Sequence, residues 1–210
     1  MAMRLSLSST PIDANESSMI RDVTLAPANQ WAKPFVAEVA EIINLLKEYG
    51  YDAATLARLT GLQEKKLSDW MSRYKREPEN ISDIPYPCWC FLTALAGRPN
   101  IQNNGQPIDV DARKVMRAFK PTAFKNKTQF EMPTEKEFKR VIGDNTFTGI
   151  TIDGLCETFQ WKPAQLAESM VKGTLPFLNW CLILMLCGFN IQKMLLNQHE
   201  GDISLDESAG

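Results

Sequence analysis

Apolar residues recur at helical spacing along most of the chain, and no run alternates as a half-buried strand would. Val36, Val39, Ile42, Ile43, Leu45 and Leu46 form one stripe. Pro34 suits the first turn of that helix and Gly50 its end. Asp52 suits the N-cap of a helix over 53–60, with Leu56, Ala57 and Leu59 inward and Gly61 as its breaker. A third helix is expected from Gln63 to about Arg73, with Leu67, Trp70 and Met71 inward. The polar stretch 75–84, with Pro78 and Asn80, predicts a loop. Pro87 then opens a helix from Trp89 to Ala96, which Gly97 and Pro99 stop. Residues 107–119 predict an amphipathic helix through Ile108, Val110, Val115, Met116 and Phe119. A helix over 134–143 uses Phe138, Val141 and Ile142. The next is capped by Thr151 or Asp153, with Leu155 and Cys156 inside. Pro163 opens another, with Leu166 and Met170 inside, and Pro176 leads into the last, Trp180 to Cys187. The fold class is all-α.

The series of helices is written twice. Residues 34–71 align with 133–170 without a gap, placing Pro34 on Pro133, Ile43 on Ile142, Gly50 on Gly149, Leu56 on Leu155, Leu67 on Leu166 and Met71 on Met170. After a short insertion in the first copy, Pro85 and Trp89-Cys90 align with Pro176 and Trp180-Cys181, and Gly97 with Gly188. A period of this size implies two tandem small helical domains of about 65–70 residues each, not a solenoid. The expected organisation is a flexible arm over 1–30, a first domain over 31–100, a basic linker with a helix over 101–132, a second domain over 133–194, and a disordered acidic tail over 195–210.

The net charge of −2 excludes a polybasic chain, but charge is distributed unevenly. Lys65, Lys66, Arg73, Lys75 and Arg76 cluster with Asp69 as the acid among them. Residues 112–130 hold Arg113, Lys114, Arg117, Lys120, Lys125 and Lys127 and no acid, whereas residues 151–210 are acidic. Such a distribution suits local contact with phosphate or, equally, a solvated face.

Five cysteines (Cys88, Cys90, Cys156, Cys181 and Cys187) lie among apolar residues without zinc-ligand spacing, which points to buried free thiols and a reducing, cytoplasmic setting. The polar N-terminus does not read as a signal peptide, and the apolar run Leu178 to Phe189 is too short to span a bilayer. The single histidine, His199, sits in the expected tail. Catalytic signatures such as H-E-x-x-H, G-x-S-x-G and a Gly-rich phosphate loop are absent, so neither an enzyme nor a metal or cofactor is expected. The tryptophans at 70, 89, 161 and 180 take interior positions of the pattern, where core packing accounts for them.

Residues 53–72 place small Ala57 where two helices would cross, Gly61 at a corner tolerant of positive φ, and apolar Leu62, Leu67 and Trp70 after it. In these features the segment resembles the helix-turn-helix of the phage repressor and Cro-like (XRE-type) family, and the resemblance covers about 34–97. It implies that the third helix enters a DNA major groove. The positions matching base-facing residues are Gln63, Glu64, Lys65, Ser68 and Asp69. Gln63 can pair two-fold with adenine, and Lys65 can donate to guanine. Lys66, Arg73, Lys75 and Arg76, with the 113–127 cluster, would neutralise phosphates.

The second copy diverges. Gln160 replaces the corner glycine, Ser169 replaces Trp70, and the candidate reading residues become Lys162, Gln165 and Glu168. Its last helix is apolar on more than one face (Leu178, Leu182, Leu184, Met185, Leu186), so it is either the core of its own unit or part of a homodimer contact. The reading is a sequence-specific transcriptional regulator of bacterial, phage or plasmid type, with double-stranded DNA as partner. The alternative is an interaction module, an adaptor or inhibitor, that uses the same fold without touching DNA. RNA binding through the basic linker is a third.

Overall fold

A computed structural model describes residues 20–98, 110–125, 127 and 129–196. Its regular elements are helical, apart from two isolated bridges, Phe35 with Ile81 and Ile142 with Ile150. In chain order the α-helices are α1 (Val36–Glu48), α2 (Ala53–Thr60), α3 (Glu64–Tyr74), α4 (Tyr86–Leu95), α5 (Ala112–Ala118), α6 (Glu135–Val141), α7 (Ile152–Phe159), α8 (Pro163–Lys172), α9 (Phe177–Leu186) and α10 (Ile191–Leu196). Short 3₁₀ turns cover Asp22–Thr24 and Pro121–Phe124.

Local chemistry sets the helix starts. Asp52 accepts the Thr55 backbone N–H at 2.7 Å and Thr151 Oγ1 accepts that of Gly154 at 2.9 Å, caps worth about 1 kcal/mol each. α1 begins later than Pro34 suggests. Phe35 is extended (φ −69°, ψ 160°) and its N–H donates to the Glu38 carboxylate at 2.7 Å. The second copy keeps this device, with the Thr134 N–H donating to Glu137 at 2.7 Å. α6 is shorter than the expected 134–143. Ile142 turns extended, and the Gly143 N–H reaches the Ile150 carbonyl at 2.8 Å instead of continuing the helix.

The segments expected to be an arm and a linker are packed parts of the fold wherever they are described. Ile20 and Thr24 are buried, and so are Phe119, Ala123 and Phe124. The two stretches correspond at the offset that carries Pro34 onto Pro133. The Arg21 N–H donates to Glu38 at 2.8 Å, and the Lys120 N–H to Glu137 at 2.9 Å. The Trp89 indole donates to the Thr24 carbonyl at 2.7 Å, and the Trp180 indole to that of Ala123 at 2.6 Å. Trp31 meets Tyr86 edge-on at 5.0 Å, and Phe130 meets Phe177 at 5.2 Å. Periodicity misses these segments because they fold as single turns of 3₁₀ helix, too short to show a stripe. Residues 1–19 of the expected arm, 107–109 of the expected linker helix and 197–210 of the expected tail lie outside the described residues.

One continuous apolar core runs through both copies. α4 packs on α9, and α2 and α10 pack on α9 and α4 respectively. Every residue of α4 except Pro87 is buried, as is every residue of α9 except Asn179 and Met185. α9 is therefore neither a core private to its own copy nor an open apolar face. The first copy covers most of it, leaving Asn179 and Met185 half-buried. Among the described residues no single helix is long and apolar enough to cross a membrane. All five cysteines are free and buried, and burial pushes Cys88 and Cys187 up to about 12.

The corner of the second copy keeps the left-handed geometry of the first: Gly61 has φ 73° and Gln160 φ 56°. A side chain in that region is strained, so Gln160→Gly is expected to raise unfolding stability by about 1 kcal/mol, read from urea denaturation. Trp180→Phe removes a fully buried donor, leaving the Ala123 carbonyl unpaired beside a cavity. The expected cost is about 2–4 kcal/mol in the same measurement.

Candidate nucleic-acid interface

The corner between α2 and α3 is built from inside. Leu56 and Leu59 are buried on α2, Leu67 and Trp70 are buried on α3, and Ala57 and Leu62 are half-buried between them. The Gly61 N–H closes α2 on the Ala57 carbonyl at 2.9 Å. Thr60 Oγ1 donates to the Leu56 carbonyl at 2.7 Å and accepts the Leu62 N–H at 3.2 Å. A Cβ at Gly61 would meet nothing within 4 Å, so glycine is required there by φ alone, not by space. α3 packs on both α1 and α2. Its inner face is thereby fixed, and its other face is left to solvent.

Gln63, Glu64, Lys65, Ser68 and Asp69 are all exposed, with Gln63 as the N-cap residue of α3. The structure brings these five together on one polar surface. Lys75 and Arg76 follow, also exposed. An open groove beside α3 is lined by Gln63, Lys65, Lys66, Asp69, Arg73 and Arg76, together with Trp70, Ser72 and Asp83.

Asp83 is the residue that helix periodicity could not supply. It sits in the loop between α3 and α4 and reaches back to α3. Its carboxylate accepts the Trp70 indole N–H at 2.7 Å and pairs with Lys66 Nζ at 3.0 Å and Arg73 Nη1 at 3.8 Å. Arg73 Nε also lies 3.8 Å from Glu77, and Lys66 Nζ lies 5.7 Å from the Trp70 ring centre. Lys66 and Arg73 thus already hold an anion of the chain itself, whereas Lys65, Lys75 and Arg76 stand exposed. The one trace in the sequence was an acid within the polar stretch 75–84, a signal with no period.

The 113–127 cluster does not form one surface of equivalent cations. Arg113, Lys114 and Arg117 are exposed on α5, whose start Asp111 caps by accepting from the Arg113 and Lys114 backbone. Lys120 Nζ instead pairs with Glu131 at 2.8 Å, Lys125 is half-buried, and Lys127 Nζ lies 5.7 Å from the Phe177 ring centre.

In the second copy, Lys162, Gln165 and Glu168 are exposed along α8. They border a groove that also includes Ser169, Lys172 and Thr174. Glu168 is paired with Lys172 one turn on, which lowers the free charge of this face. His199 lies outside the described residues.

The Trp70 indole, and after it Lys66, hold the Asp83 carboxyl below the usual carboxylate range. A group so depressed adds stability above its unfolded pKa of about 4, and that stability is lost as pH falls through the folded value. Asp83→Asn is therefore expected to flatten the decline of the urea midpoint as pH falls below about 4. An unaltered acid limb would disprove the linkage.

No family model and no solved structure matches the chain. The Transcriptional repressor protein KorC of Escherichia coli is 32% identical over 78 residues, a match covering 37% of this chain and 84% of KorC. Through that stretch the chain belongs to the family of the KorC transcriptional repressor.

Proposed function

We propose that the chain is a sequence-specific DNA-binding transcriptional repressor of XRE-like helix-turn-helix type, duplicated in tandem, in which α3 lies in the major groove. The observation that carries this reading is the division of α3 into two faces. Leu67 and Trp70 are anchored in the core, and Gln63, Glu64, Lys65, Ser68 and Asp69 stand in solvent beside a cation-lined groove. A helix fixed in this way can approach base edges without losing internal packing. The likeness to KorC supports the repressor class.

Gln63 is placed to pair with adenine and Lys65 with guanine, each bidentate pair discriminating by about 1–3 kcal/mol. Lys75 and Arg76, with Arg113, Lys114 and Arg117 on α5, contact phosphates. Lys66 and Arg73 join them by exchanging Asp83 for a phosphate oxygen. Binding blocks polymerase by occupancy and involves no catalysis or cofactor. The setting is the cytoplasm.

One observation favours the alternative of a protein-interaction module: the ion pairs of Lys66 and Arg73 with Asp83 neutralise two of the cations that face the groove. The two readings differ in their response to salt. A DNA binder releases counterions, so its affinity falls linearly on a log–log plot with a slope near one unit per phosphate contact. Lys65→Ala with Lys66→Ala is expected to weaken a mobility shift on selected fragments by at least about tenfold and to make that slope shallower by about one. Unchanged binding in this variant would sink the assignment of α3.

A further inference from the structure

The first copy offers one reading helix, and the second holds its counterpart. We infer that a single chain engages duplex DNA with both, α3 on one half-site and α8 on the other, and so reads an asymmetric site without a second copy. The inference rests on the assignment of α3 above and extends it to stoichiometry and to the form of the operator.

Three observations carry it. The N-cap of α3, Gln63, and that of α8, Lys162, follow corners that are both left-handed, although the second must strain Gln160 to stay so. A corner under no demand to present α8 at that angle could relax. An open groove flanks each helix on the same side, with Gln165 where Lys66 stands, Glu168 where Asp69 stands and Lys172 where Arg73 stands. Finally, α4 and α9, matched helices of the two copies, are buried against each other. Equivalent helices in mutual contact are what a two-fold pair of separate subunits makes at its axis. Here one polypeptide supplies both partners, and α9 is buried apart from Asn179 and Met185.

The two reading faces are not alike. Lys65 and Lys66 on α3 correspond to Ala164 and Gln165 on α8. Lys162 and Gln165 suit guanine and adenine acceptors at a different register, so the two half-sites differ in sequence. Docking of both helices sets them about one helical turn, roughly 10 bp, apart.

The test uses the full chain and a duplex that it selects from a random-sequence pool. The expected result is one chain per duplex by native mass measurement and a non-palindromic consensus in two blocks. Lys162→Ala with Gln165→Ala, both exposed positions, should bind at least about tenfold more weakly and lose footprint protection over one block. Lys65→Ala with Lys66→Ala should lose the other. Two chains on a palindrome would overturn the two-headed reader and leave α3 in place. So would an α8 variant with an intact footprint beside an α3 variant that fails to bind. An intact footprint in the α3 variant overturns the α3 assignment itself, and failure to enrich any duplex overturns both.

Discussion

Two helices without a polar face must be hidden from water, and neither copy is large enough to hide its own. α4 and α9 are apolar almost all round, and burial removes nearly every residue of each from solvent. A unit of this size buries only a modest fraction of its surface, so a fully apolar helix at its edge finds cover only by crossing into a neighbour. The two copies solve this jointly, packing α4 and α9 against each other. The remaining features attach to that slab. The indoles of Trp89 on α4 and Trp180 on α9 hook the 3₁₀ turns at Thr24 and Ala123. α1 and α2 in turn brace α3 from behind.

The corner between α2 and α3 was legible because its determinants are short-range. Capping by Asp52, the corner at Gly61 and the period of Leu67 and Trp70 each act within one or two turns of chain. The upstream turns at 22–24 and 121–124 escaped notice. Their identity lies in backbone carbonyls offered to distant indoles, and any residue supplies a carbonyl. Asp83 escaped for a related reason. Its partners Lys66, Trp70 and Arg73 lie on another element, and an isolated acid in a polar loop carries no mark of what it will meet. The mutual burial of α4 and α9 was half legible. Their greasiness announced a cover, but composition alone could not say whether the cover belonged to the same chain.

Charge in this molecule acts by placement, not by quantity. A near-neutral chain keeps Lys65 exposed near the start of α3 and Lys75 and Arg76 exposed past its end, while tying Lys66, Arg73, Lys120 and Lys172 to carboxylates. Exposed pairs of this kind contribute little to folding. They cost little to separate as well, so an incoming polyanion can take over such cations without dismantling the core beneath them.

The contact between α4 and α9 joins unlike partners. Where α4 has Thr93 and Ala94, α9 has Leu184 and Met185. A surface that must fit its own copy accepts each mutation twice across the axis, so a bulge on one side is always met by the same bulge on the other. With the two sides encoded separately, one can thicken while the other thins, and the halves are free to specialise. Joined through a single backbone, the pair also withstands dilution, under which associated subunits would drift apart.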